Sequence, residues 1–451
     1  MGCPTTVRRT ILGACTMLAI TVTAVPAAWP QPPRPALPGP LVAALERDLG
    51  LDAGRYLARA EAAQRLAQFE RRAEREFTEV WAGARMDDKG RPIVALTAGT
   101  GEPEARRAAL AAGFSTTQVL HSTQTLRARR AEVERWYAAQ EPDIAGSLVA
   151  SAIDVTRNTV AIYTSGRPML PETLGPALVS AGSAAPIGPA VAGPARAGEI
   201  AARDPGREFH GGHEYGVEFS GRNALCSLGF HAAAADGSVV NISAGHCDPN
   251  NLARPEARTG ASQPIFETAD DERGAEMGRF VKAIMGPRDY SIIRINDRYR
   301  PGFENNLVST ETRGLPTAPP AAETAAYSVT AATLAEPLAL DGVALPVVGA
   351  PVCKAGRTTG FTCGTIIEID RTMYAGGLPG RPNDRIRLEG MFAASICTIG
   401  GDSGGAGITG TRALGIVSTG SNNYCTPENV SNFQPLHTVL SENPGLRVRV
   451  E

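Results

Sequence analysis

Two periodicities divide the chain. Leu66, Phe69, Ala73, Phe77 and Val80 recur at steps of three and four, and 126–140 repeats the pattern with Val133, Trp136 and Tyr137, which predicts two amphipathic helices. Apolar runs at 92–97, 118–120, 153–155 and 160–163 read as short strands, the last two turning on Arg157-Asn158. The region before residue 170 is thus expected to be α+β. From 171 to 202 the chain becomes Pro, Gly, Ala and Ser with few charges, the composition of a linker or cleavable joint. Beyond it, runs at 239–242, 290–295, 365–369, 386–388 and 413–417 are separated by Gly, Asn, Asp and Pro, and only 437–443 reads as helix. That spacing predicts a sandwich or barrel.

Composition adds constraints. The 451 residues carry 44 Lys+Arg against 46 Asp+Glu, a net charge of −2. So even a balance offers no field for phosphate backbones or acidic membranes, and argues against a nucleic-acid partner. With 49 Gly and 34 Pro the chain is turn-rich without being low-complexity.

Arg8 and Arg9 precede an apolar run over 11–25, which ends in the small residues of Ala24-Val25-Pro26-Ala27-Ala28. The run is short for a bilayer span, and the small residues fit a cleavage site, so 1–28 reads as an export signal. Most of the apolar segment follows Cys15, which disfavours lipid attachment there; Arg8-Arg9 leaves the twin-arginine route open. Cys3 and Cys15 leave with this segment. The remaining six, Cys226, Cys247, Cys353, Cys363, Cys397 and Cys425, form an even set in an exported chain and read as disulfides. Short spacings favour Cys226 with Cys247 and Cys353 with Cys363, leaving Cys397 with Cys425. No Cys-x-x-Cys occurs, so no metal is expected.

Gly400-Gly401-Asp402-Ser403-Gly404-Gly405 carries the chemistry. A serine that attacks a carbonyl needs N–H donors aimed at the developing oxyanion, and glycines permit the turn that aims them; Gly401 and Ser403 would supply these donors. Ser243-Ala244-Gly245-His246-Cys247 sets a histidine after a predicted strand and beside a disulfide cysteine, the setting of a general base. Asp289 opens the apolar run Tyr290-Ser291-Ile292-Ile293. The order His246, Asp289, Ser403 is that of the chymotrypsin arrangement. The α/β-hydrolase elbow instead requires an acid and then a histidine after the serine. Only Glu428 and His437 are available there, and no βαβ alternation surrounds them.

Five strings occur in register: Cys226-Ser227-Leu228-Gly229-Phe230, Ser243 to Cys247, Val352-Cys353-Lys354-Ala355-Gly356-Arg357-Thr358-Thr359-Gly360, Gly401 to Gly405, and Phe433-Gln434-Pro435. Over 215–451 the chain thereby resembles the streptogrisin and alpha-lytic protease group of secreted bacterial serine endopeptidases, and 40–190 more weakly resembles that group's propeptide. The resemblance implies an all-β protein of two antiparallel six-stranded β-barrels (chymotrypsin-like), preceded by an α+β propeptide domain. The expected organisation is a signal peptide over 1–28, a propeptide over 29–200 with its linker at about 171–202, and a protease domain over 208–451.

The resemblance further implies a primary pocket with Ser395 at its floor and Ser418, Thr419 and Gly420 as walls. No carboxylate lines it, so cleavage after apolar residues is expected. It also points to Lys354 as the cation that compensates a buried Asp402, where the group tends to have arginine. The connection over 296–351 looks longer than usual. No cofactor is implied, the partners are protein or peptide substrates and the chain's own propeptide, and the enzyme is expected to be a secreted, extracellular monomer free of the membrane once its signal is cut. An inactive binding protein on the same fold is the alternative.

Overall fold

The computed structural model describes residues 1–2, 36–166, 170–171, 174, 177–181, 190–194, 207–269, 272–317, 335–376, 378, 384–421 and 424–450. Except for residues 1 and 2, the expected signal segment lies outside these residues, as does most of the 171–202 linker.

Helix α1 (Gly39–Leu49) leads into α2 (Ala53–Glu76), whose first turn is capped by the Asp52 side chain accepting from Arg55 N. Thus α2 begins well before the apolar repeat that predicts it, and Val80 lies beyond its end. β1 (Trp81–Met86), β2 (Pro92–Thr97), α3 (Glu102–Ala111) and β3 (Ser115–Val119) build a three-stranded sheet in which β2 and β3 run parallel across α3. α4 (Thr123–Ala138) is capped by Ser122. It is followed by α5 (Pro142–Ser147), the hairpin β4 (Leu148–Asp154) and β5 (Thr159–Thr164), then β6 (Ala177–Ala181) and β7 (Ala190–Pro194).

After residue 207 the chain is mostly β with few and short helices. β8 (Glu214–Phe219), β9 (Arg222–Ser227), β10 (Phe230–Ala233), β11 (Val239–Ser243), β12 (Pro264–Ala269), β13 (Glu272–Met285) and β14 (Asp289–Ile295) form a nine-stranded sheet with β7 and the terminal strand Arg447–Val448. Two-residue strands β15 (Leu307–Val308), β16 (Leu338–Ala339) and β17 (Gly342–Val343) lead onward. The second sheet contains β18 (Pro351–Gly356), β19 (Gly360–Ala375), β20 (Ile386–Ala394), β21 (Ala406–Thr409), β22 (Arg412–Gly420) and β23 (Ser431–Pro435). Their order is β18-β21-β22-β23-β20-β19, and pairing of β18 with β19 closes these six into a ring. Three disulfides join Cys226 to Cys247, Cys353 to Cys363 and Cys397 to Cys425.

The region before 170 is built onto the second sheet. β4 pairs with the distal half of β19 at Thr372↔Ser151 and Met373↔Ala150, so β4, β5 and β6 extend that sheet. At this seam Tyr163 donates its hydroxyl to Glu368, Arg371 pairs with Glu368, and the Arg371 guanidinium lies 4.4 Å over the Tyr163 ring. α1 buries Leu41, Ala44 and Leu45 in one apolar cluster with Phe361, Cys363 and Ile408. Asp48 accepts from Cys363 N at 2.8 Å, and Gln64 exchanges two hydrogen bonds with Leu345 at 3.0 and 2.8 Å. Leu37–Glu451 are consequently one compact unit.

Candidate active site

Strand pairing delivers the first two residues. β11 and β14 are antiparallel neighbours with Ser243 opposite Ser291, so the end of β11 and the start of β14 lie at one edge of the sheet. His246 sits in the short turn just past β11 and Asp289 is the first residue of β14. The disulfide from Cys247 to Cys226 anchors that turn to β9. His246 Nδ1 lies 2.8 Å from Asp289 Oδ2, and the His246 backbone N–H donates to Asp289 Oδ1 at 2.9 Å. Both side chains are fully buried. Burial alone would push the Asp289 carboxyl up; the adjoining imidazole, the Ser418 hydroxyl and the His246 amide overcome it and hold the carboxyl below its ordinary value.

Because Asp289 engages Nδ1 as an acceptor, Nδ1 carries the proton and Nε2 presents its lone pair. That Nε2 is buried and has no hydrogen-bond partner among the described residues. Ser403 reaches this neighbourhood from the second sheet. Its carbonyl accepts from Ser227 N at 2.7 Å and lies 3.9 Å from Cys247 Sγ, while Gly404 N donates to Val417 O at 2.8 Å. Ser403 Oγ itself is not hydrogen-bonded to the imidazole.

The turn before Ser403 is held open-handed. Gly401 has φ of 98°, and a Cβ there would strike Thr358 Oγ1, so only glycine fits. Among the described residues neither Gly401 N nor Ser403 N donates to a protein acceptor, while the Gly401 carbonyl is turned away to accept from Ser227 Oγ at 2.8 Å. The two free amides flank that of Asp402, which donates to Ile399 O at 3.1 Å, and unengaged N–H groups on a fixed turn are suited to receiving an anion.

Asp402 lies behind it, fully buried. It accepts from Thr358 N at 2.9 Å, Thr359 N at 3.0 Å, Thr359 Oγ1 at 2.6 Å and Ile399 N at 3.1 Å. Lys354 Nζ is 3.6 Å away, equally buried, and donates to Thr359 Oγ1 and to Gly360 O at 2.8 Å. Burial lowers the Lys354 pKa from its ordinary value and Asp402 opposes that.

The expected pocket residues are placed less uniformly. Ser395 is exposed and exchanges hydrogen bonds with Thr365, at 3.2 Å from Thr365 N and 3.3 Å to Thr365 O. Ser418 Oγ donates to Asp289 Oδ2 at 2.6 Å, so its hydroxyl serves the carboxylate. Thr419 is buried and accepts from Asn432 Nδ2 at 3.0 Å. At Gly420 a Cβ would strike the Thr398 carbonyl, so this glycine serves a close approach of two segments. Sequence reasoning missed the tie between Ser418 and Asp289, the Thr358 and Thr359 amides, and Gln434, whose Oε1 accepts from Asp289 N at 3.1 Å. Only the string Phe433-Gln434-Pro435 could have flagged the last.

No protein-family model matches the chain. Among curated proteins it is similar to streptogrisin-C of Streptomyces griseus, 28% identical over 440 residues that cover 95% of this chain and 80% of that protein. Streptogrisin-D of the same organism is 25% identical over 221 residues, 49% of this chain and 44% of that protein, so the chain spans less than half of its length. Glutamyl endopeptidase 2, also of Streptomyces griseus, is 27% identical over 221 residues, 49% of this chain and 92% of that protein. Among solved structures, the chymotrypsin of Cellulomonas bogoriensis is 26% identical, covering 54% of this chain and 100% of that chain at a TM-score of 0.36. The protein is a serine endopeptidase. These similarities support its resemblance to the streptogrisin and alpha-lytic protease group.

Proposed function

We propose that Ser403, His246 and Asp289 are the catalytic triad of this protease and that the Gly401 and Ser403 amides form its oxyanion hole. The observation that carries the reading is the 2.8 Å contact between His246 Nδ1 and Asp289 Oδ2, which leaves a buried Nε2, without a partner among the described residues, to accept a proton. Ser403 Oγ attacks the peptide carbonyl as His246 Nε2 takes its proton. The oxyanion is held by the two free amides; His246 then returns the proton to the leaving amine, and water repeats the sequence on the acyl-enzyme. Asp289 keeps the tautomer and stabilises the imidazolium. The site residues are thus His246, Asp289 and Ser403 for catalysis and Lys354 with Asp402 as support. Labelling by a fluorophosphonate, lost in Ser403→Ala together with peptidase activity, tests the assignment; undiminished peptidase activity in Ser403→Ala would overturn it. No observation favours the rival reading, an inactive binding protein.

The same proposal takes 29–200 as a propeptide and 208–451 as a protease domain of two β-barrels, released outside the cell and working as a monomer on protein or peptide substrates. The six-stranded ring and the seating of α1, α2 and β4 on the second sheet support it. The primary pocket is taken to have its floor at Ser395 and its walls at Ser418, Thr419 and Gly420, and to prefer apolar side chains.

A further inference from the structure

Asp289 is tied to the second sheet at two points, and only one of them is its carboxylate. Besides the bond from Ser418, the Asp289 backbone N–H donates to Gln434 Oε1 at 3.1 Å. An amide N–H can only donate, so the atom that Gln434 turns toward it is the oxygen. Gln434 is fully buried on β23, opposite Ile416 of β22, the strand that also carries Ser418. Its other terminal atom, Nε2, is buried with no hydrogen-bond partner among the described residues. An orphaned buried amide nitrogen carries a desolvation penalty that an apolar side chain of equal length would avoid. The residue therefore earns its position through its oxygen.

The turn ahead of Asp289 has its own restraints. Pro287 O accepts from Glu389 N at 2.8 Å, and Arg288 reaches Glu389 O at 2.8 Å and Glu442 at 2.9 Å. Those contacts fix where the turn lies. What Gln434 adds is the orientation of the peptide group from which the Asp289 side chain springs.

We infer that Gln434 is a positioning residue for peptide hydrolysis, holding the Asp289 amide so that the carboxylate meets both the ring and the backbone of His246. The inference rests on the triad reading proposed above. Gln434 touches neither substrate nor a reacting atom; it acts through Asp289. Because it sits on the sheet that also positions Ser403, it makes the aspartate's aim depend on how the two sheets are seated.

Two replacements of similar size separate this role from packing. Gln434→Met removes the acceptor and keeps the volume; Gln434→Glu keeps an acceptor and adds a carboxylate near the imidazole. With the secreted enzyme and a chromogenic peptide amide, Gln434→Met is expected to lower kcat by about tenfold to a hundredfold with KM unchanged. Gln434→Glu is expected to retain most of kcat and to move the acid limb of the kcat/KM profile to higher pH, since added negative charge favours imidazolium. Equal kcat loss in both variants with an unmoved acid limb, or wild-type kinetics in Gln434→Met, would overturn the inference. If Gln434→Met does not accumulate, kcat of Gln434→Glu decides: a value near that of the unaltered enzyme supports the role of the acceptor oxygen, and a loss of about tenfold or more overturns it. Failure of the unaltered protein to react with a fluorophosphonate would instead strike the triad reading.

Discussion

Lys354 and Asp402 lie 3.6 Å apart with no exposed surface on either side chain, joined through the Thr359 hydroxyl, which contacts both. Three backbone amides also donate to the aspartate. The carboxylate is therefore well hydrogen-bonded, and what the lysine adds is charge. Lys354→Ala is expected to cost about 3 kcal/mol, the lower end for breaking a buried pair, because those donors remain. Thermal unfolding should show a Tm lower by about 10 °C, and kcat should fall as the turn carrying Gly401 and Ser403 loosens. Lys354→Arg should keep most activity. Unchanged Tm and kcat in Lys354→Ala would mean that the amides alone suffice.

Gly401→Ala tests the free amides. A Cβ has no room beside Thr358 Oγ1, and the positive φ disfavours any other residue. Misalignment of one oxyanion donor should lower kcat by about 10²- to 10³-fold with little change in KM. A KM effect alone would assign this turn to binding.

Three imidazoles near the start of the β-rich region set an acid limit on stability. His231 Nε2 lies 2.8 Å from Phe209 O and its Nδ1 lies 3.1 Å from Asn241 Nδ2; the His213 Nδ1 accepts from His210 N at 3.0 Å. Burial lowers all three, His231 to about 4, against the pull of Glu208 and Glu311 on His210 and with the added push of Arg207, Arg313 and Arg449. The folded protein thus binds fewer protons than the unfolded chain below the ordinary histidine value near 6.5, so stability is full above that pH and declines as pH falls toward 4. His231 alone accounts for about 3 kcal/mol over that window. Urea midpoints measured from pH 7 to 4 should fall, and His231→Phe should flatten the decline.

The propeptide reading predicts a dependence of refolding on the early region. Chain 208–451, denatured and diluted with and without 37–200 in trans, should recover fluorophosphonate reactivity only with the partner, since α1 covers Phe361 and β4 completes the pairing of β19. Equal recovery would make the early region a permanent accessory instead.

Specificity is the remaining check. Peptide-library cleavage should follow apolar residues, with Leu and Phe ahead of Ala. A profile dominated by Arg or Lys would contradict the absence of a carboxylate among Ser395, Ser418, Thr419 and Gly420.

What was legible in the sequence was what is written in consecutive residues. Pro92–Thr97 is a strand with the anticipated bounds, and 239–242, 290–295 and 413–417 are strand segments, because alternating or continuous apolar runs declare themselves locally. Helix α1 was not read: eleven residues starting behind a proline carry too short a repeat, and its stability comes from Leu41, Ala44 and Leu45 meeting a surface hundreds of residues away. β13 was missed since Glu272–Met285 mixes charges and glycines, and its strand state is imposed by neighbours on both sides. At the site, His246, Asp289 and Ser403 each sit in a distinctive string, whereas the contacts of Gln434 and Ser418 with Asp289 exist only because the two sheets face each other.

If the early region is removed, as the propeptide reading proposes, the seam between β4 and β19 is what opens. A closed ring leaves no strand with idle backbone groups, but β19 runs past the ring and meets β4 at Thr372 and Met373. Cutting away the early region would bare that overhang as an open template, the geometry from which strand-to-strand aggregation starts. Glu368 and Arg371, buried and paired with each other, stand beside it. On the propeptide reading, the early region shields that margin for as long as it stays seated on β19.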